Sequence, residues 1–211
     1  MKKLITLFFG TALLFSTSAF SDVMVGVKVG NGDLEGTSKA YTAGSNAYAS
    51  STGSKDSQFG AIFAEVSLMD TGLSVGVEYV PLDADISLDG KGSSTSANVE
   101  DYTTAYLLYM HEVSDANIYA KLGYSQADIG AIKNAAGTTV NSQSNDLEGL
   151  MVGAGFQTDE LFDNGVVGRF EITYTDIDDV TATTTSHGSS SVKKTADGEL
   201  VTITFGLSKS F

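Results

Sequence analysis

The sequence predicts an all-β chain, an eight-stranded antiparallel up-and-down transmembrane β-barrel. Three observations carry this. Beyond residue 21 the chain reads as eight segments of alternating apolar and polar residues, their connections are long and short in turn, and a last alternating run closes on Phe211. A bilayer admits only helices or sheets closed on themselves, and a spanning strand needs about ten alternating residues. Beyond residue 21 nothing approaches the roughly 18 continuous apolar residues of a membrane helix.

Residues 1–21, MKKLITLFFGTALLFSTSAFS, read as a signal peptide. Two lysines precede an apolar stretch too short to span, and Ala19 and Ser21 are small residues suited to cleavage before Asp22. The barrel domain is then 22–211. Losing Lys2 and Lys3 takes the formal charge from −14 to −16. With no basic cluster to offset that charge, nucleic acid is excluded as a partner. The chain has no cysteine, which excludes disulfides, thiol catalysis and thiolate metal sites.

The predicted strands lie near 23–32, 58–68, 73–82, 101–111, 117–127, 147–157, 166–177 and 199–211. The connections after the second, fourth and sixth are short, so all four long ones emerge at one end of the barrel. The long ones, GTSKAYTAGSNAYASSTGSK, LDGKGSSTSANVE, NAAGTTVNSQSND and TATTTSHGSSSVKKTADG, are rich in Ser, Thr, Gly, Asn and Ala. Such segments bury too little apolar area to offset ordering, and mobile loops are the expectation.

Alternation alone does not say which face is outside, because a soluble lipocalin-like barrel alternates too. The charges do. Lys28, Glu65, Glu78, Lys121, Arg169 and Glu171 each stand opposite the apolar row of their strand. Three bases against three acids suit a mutually compensated interior network. The same face carries Gly26, Gly30, Gly76, Gly123, Gly153, Gly155 and Gly206, the small residues a narrow eight-stranded lumen requires beside large ones. Tyr79, Tyr102, Tyr124 and Tyr174 are read as outward at the loop end, with Phe156 and Phe211 at the turn end, together an interfacial aromatic girdle. A closed interior of Phe59, Phe63, Leu107, Tyr109 and Met151 is expected around the charges.

The final strand, LVTITFGLSKSF ending at Phe211, and the overall pattern resemble the small outer-membrane β-barrels of the OmpA/OmpX and opacity-protein type. The resemblance covers essentially all of 22–211. It implies that Val201, Ile203, Phe205, Leu207 and Phe211 form the signal read by the barrel-assembly machinery, and that inner ion pairs plug the lumen. It also implies residence in the cell outer membrane among lipid and lipopolysaccharide. Two departures stand out: Lys209 occupies a place that is often aromatic, and the chain has no Trp for its girdles.

Enzymatic chemistry is not expected. A serine nucleophile needs a neighbouring base, and the two histidines are an isolated His111, read as a turn-end lumen residue, and His187 in a Ser/Gly-rich loop. Asp83, Asp85 and Asp89, and Asp176, Asp178 and Asp179, offer hard oxygens but no Ca²⁺-loop spacing, so no metal or cofactor is expected. The sequence therefore points to a monomeric surface barrel that meets an unidentified ligand through its loops. The alternative is a narrow porin-like channel for ions or very small solutes, in which the charge network is the gate. A lumen that binds an apolar ligand is a third, lesser reading.

Overall fold

A computed structural model describes residues 22–43, 45–81, 84–90, 93–114, 116–129, 133–134, 146–162, 165–185 and 191–211. The leader expected over 1–21 and His187 lie outside them. Eight long strands form the wall: β1 (Val23–Ser38), β2 (Ser51–Ser67), β3 (Leu73–Val80), β4 (Ser93–Val113), β5 (Ala116–Ile129), β6 (Leu147–Phe162), β7 (Val166–Thr185) and β8 (Ser191–Ser210). Each pairs antiparallel with its chain neighbour, and β1 pairs β8 from Met24↔Ser210 to Ser38↔Ala196, which closes the ring. The seam is locked at the terminus, where Phe211 N donates to Val23 O at 2.9 Å.

The turn end is tight. A single 3-10 turn, Met69–Thr71, joins β2 to β3, and Gly72 takes a left-handed φ of 73° that lets β3 reverse direction. Gly165, with a φ of 77°, does the same before β7.

The loop end differs from the sequence reading. β1, β2, β4, β7 and β8 all run well past their predicted limits, so most of 36–55 and 181–198 is ladder rather than loop. The hairpin is completed by two short strands, Tyr41–Ala43 and Asn46–Tyr48, with Tyr41 stacked on Tyr48 at 4.7 Å. Outside lipid a ladder needs no apolar alternation, and Thr-rich segments suit strands. The strand Ala84–Gly90 likewise pairs with the first part of β4.

Inside the ring, large side chains lie over glycines of adjoining strands. A Cβ at Gly76 would stand 2.5 Å from the Tyr106 ring, one at Gly155 2.5 Å from the Tyr119 ring, and one at Gly206 2.9 Å from Lys28 Cγ. Gly76→Val is expected to lower the unfolding free energy by about 1–3 kcal/mol, because the Tyr106 ring it meets is buried and tied to Glu65 through its hydroxyl. Urea titration of the refolded barrel measures it, and an unchanged midpoint would contradict this packing.

Candidate functional site

The candidate site is the charged layer across the lumen. Alternation is what delivers it: Lys28, Glu65, Glu78, Lys121, Arg169 and Glu171 come from five strands, all at inward positions. Lys28 Nζ donates to Glu78 Oε2 at 2.7 Å and Glu171 Oε1 at 2.8 Å. Lys121 Nζ donates to the same two oxygens at 2.9 and 3.1 Å. Two cations and two anions thus alternate around a closed ring.

Nearer the turn end, Arg169 grips Glu65 with both terminal nitrogens at 2.6 and 2.7 Å, while its Nε donates to Gln157 Oε1 at 2.7 Å. Two tyrosines tie the layers together. Tyr106 OH donates to Glu65 Oε1 at 2.7 Å and its ring lies 3.9 Å beneath Lys121 Nζ, and Tyr119 OH donates to Glu171 Oε2 at 3.2 Å. The six charges sum to zero, and five of the six side chains are 1–3% exposed. Pairing of every charge, bidentate at Arg169–Glu65 and reinforced by neutral donors, is the geometry in which buried charges offset their desolvation. Tyr106, Tyr119 and Gln157 are partners that sequence reading did not single out, although Tyr119 shares the inward parity of Lys121.

β4 requires a correction. Tyr106 and Leu108 are inside at 5% and 0% exposure, whereas Leu107 and Tyr109, expected in the interior, face outward at 51% each. Tyr102 shares the inward parity and faces the lumen, its OH 3.4 Å from Thr175 Oγ1, so it is not part of an outer girdle. His111, expected inside, is exposed on the outer face. The reason is local. The run YLLYM is apolar on both faces, so alternation assigns it no direction, and the bulge between Glu100 and Thr103, with Asp101 at φ 54°, breaks the phase only beyond Tyr102. Phe63 and Met151 are buried in the lumen, and Phe59 lines it.

Tyr79, Tyr124 and Tyr174 sit outside, and the first two donate their hydroxyls to Asp101 and Glu148. Phe156 also faces out and stacks on Phe170, whose ring lies 5.0 Å from that of Phe205. Val201, Ile203, Phe205, Leu207 and Phe211 form one exposed row along β8, and Lys209 Nζ lies 5.5 Å over the Phe211 ring. Asp178 and Asp179 occupy a bulge in β7 rather than a loop, and Asp179 holds Lys39, whose pKa is raised by that hydrogen bond. Asp83 and the side chains of Asp85 and Asp89 lie outside the described residues.

On the loop side of the charged layer the lumen holds a cavity of about 150 Å³, walled by Phe59, Val80, Tyr102, Met151, Ile177 and Leu200, with Glu78 and Lys121 also on its lining.

No family model and no curated relative matches the chain. Solved structures do. Neisserial surface protein A aligns with a TM-score of 0.57 at 15% identity, over 90% of this chain and 99% of its own. OprG from Pseudomonas aeruginosa gives 0.63 at 14%, over 92% and 97%, and AlkL, solved in DMPC bilayers, 0.64 at 14%, over 93% of each. This chain has the fold of the small outer-membrane β-barrels. The apolar rows are exposed on the outside of the ring and the charges are buried within it, the reverse of a lipocalin-like arrangement. The outer-membrane protease OmpT of Escherichia coli shares the fold as well, at a TM-score of 0.51 and 10% identity, so architecture alone names no activity.

Proposed function

We propose that this barrel is a non-enzymatic surface protein of the outer membrane, anchored among lipid and lipopolysaccharide, whose lumen is plugged and whose loop end meets an external ligand or surface. The observation that supports it is the neutral charged layer, in which each of the six ionised groups has an oppositely charged partner and each carboxylate accepts at least two hydrogen bonds. A water-filled pore leaves its charges hydrated. Here aromatic rings and apolar side chains stand against them, and eight strands leave a lumen that side chains can fill.

In this reading the leader at 1–21 directs export, and Val201, Ile203, Phe205, Leu207 and Phe211 engage the barrel-assembly machinery. Tyr79, Tyr124, Tyr174, Phe156 and Phe211 anchor the monomer at the two interfaces. The acidic β7 bulge and the connections at the loop end are the parts that meet the outside.

Planar-bilayer conductance tests the plug, once heat-modifiable gel mobility has shown that the protein is folded. Silence is the expected result. Reproducible steps that change in Arg169→Ala would instead make the barrel a narrow ion channel with the charged layer as its gate.

A further inference from the structure

The cavity on the loop side of the charged layer has a built floor as well as apolar walls. Its volume of about 150 Å³ equals that of an engineered apolar cavity which takes up benzene. Small-molecule sites combine such walls with a few convergent polar groups that fix orientation.

The floor is Glu78 and Lys121, and the two differ. Lys121 Nζ is committed to Glu78 Oε2 and Glu171 Oε1, over the Tyr106 ring. Glu78 is not saturated. Lys28 and Lys121 both bind its Oε2, at 2.7 and 2.9 Å, and Oε1 accepts no hydrogen bond among the described residues. Its side chain retains 12% exposure, against 1–3% for the other five members of the layer. One carboxylate oxygen is therefore left over on a chamber whose lining is mostly apolar, interrupted by the neutral side chains of Gln58, Thr104, Thr173 and Thr202 and, farther along β2 toward the loop end, by Lys55.

We infer that this cavity is a binding site for a small neutral molecule with an apolar body of about one ring and a single O–H or N–H donor, which it delivers to Glu78 Oε1. The charge balance sets the class. At the floor a carboxylate ligand would meet the Glu78 carboxylate, with Lys28 and Lys121 already paired, while the other cation of the lining, Lys55, stands toward the loop end of β2, opposite Leu34. A cationic ligand would come up against Lys28 and Lys121, which hold the other oxygen of the same carboxylate. A neutral donor adds a hydrogen bond to an ionised acceptor without disturbing the ring. The proposal goes beyond the plugged-scaffold reading, and conductance does not bear on it.

The test is ¹⁹F NMR titration of the refolded barrel in lipid nanodiscs, with empty nanodiscs as the partition blank. 4-Fluorophenol is expected to bind saturably and about tenfold or more tighter than 4-fluoroanisole, which lacks only the donor hydrogen. 4-Fluorobenzoate and 4-fluorobenzylammonium are expected to show partition alone. Leu200→Trp, which fills the chamber, is expected to abolish the saturable component. Gly32→Leu fills the same space from β1, since a Cβ there lies 3.3 Å from Leu200 Cδ1 and 3.6 Å from Phe59 Cε1, and it replaces Leu200→Trp where that variant does not refold. Equal affinities for the phenol and its methyl ether overturn the assignment to Glu78. Saturable binding that survives the filled chamber overturns the location, and absence of saturable binding by any probe overturns the site.

Discussion

Replacing Arg169 with methionine is expected to lower the unfolding free energy of the barrel by about 3–5 kcal/mol, the cost of leaving a buried carboxylate without its cation. Glu65 would lose both of its short bonds to the guanidinium and keep Tyr106 OH, and Gln157 Oε1 would lose its donor. Neither group can turn to water, because Glu65 and Gln157 are buried at 3% and 7% exposure. The companion variant separates ion pairing from packing. In Arg169→Met/Glu65→Leu the stranded charge is gone, and apolar replacement of a whole buried pair is commonly neutral or favourable. The double variant should therefore be more stable than Arg169→Met alone, held below wild type chiefly by the orphaned Tyr106 hydroxyl and Gln157 amide, about 1–3 kcal/mol each. Urea unfolding followed by tryptophan-free probes such as tyrosine fluorescence or gel mobility reads all three proteins. A single variant that unfolds with wild type would show that Arg169 and Glu65 do not depend on each other.

The Lys28–Glu78–Lys121–Glu171 ring obeys a different rule from the Arg169–Glu65 pair. Each of its ammonium groups has two carboxylates and each carboxylate two ammonium groups. Loss of one member leaves the others with a partner, so single substitutions there should cost less per charge removed than Arg169→Met. The two tyrosines couple the ring to the pair, since Tyr106 touches Glu65 and Lys121, and Tyr119 bonds Glu171 and lies 5.4 Å from the Arg169 guanidinium. Non-additive double-variant energies across that boundary are the expected signature of one network.

The barrel was legible because a lipid-facing strand cannot hide its alternation, and the inward charges because a charge opposite an apolar row has only one face to occupy. Where one face is not distinct, the reading failed. In β4 the run from Tyr106 to Met110 is apolar on both faces, so period two assigns no direction. What decides it lies on other strands, where Gly76 and Gly123 leave room for Tyr106; the Asp101 bulge on β4 itself lies beyond Tyr102 and leaves the phase from Tyr102 to His111 unbroken. Inward glycines were a usable signal, since each of Gly76, Gly155 and Gly206 marks the ring or stem that lies over it. The strand extensions at the loop end were not legible, because alternation is a property of contact with lipid and disappears where the same ladder continues into water.

Leu122→Arg is expected to lower the unfolding free energy by about 2–4 kcal/mol more than Leu122→Ala does. Leu122 is 50% exposed on the outer face of β5, between Ala120 and Tyr124 and opposite Leu107 and Val152, both of which also point outward. Arginine on the lipid face of a barrel is most costly near the bilayer midplane and nearly free at the interfaces, so position along the strand matters as much as orientation. Val113→Arg supplies the second arm: Val113 is also exposed, at 47%, but sits at the turn end of β4, where the guanidinium can reach headgroups and about 0–1 kcal/mol is expected. Measured in lipid bilayers, the difference between the two positions reports depth directly. A barrel with water on its outer face would tolerate both arginines equally, so equal costs at Leu122 and Val113 would remove the membrane from the account of this fold, whereas a gradient fixes the level of the lipid band on β4 and β5.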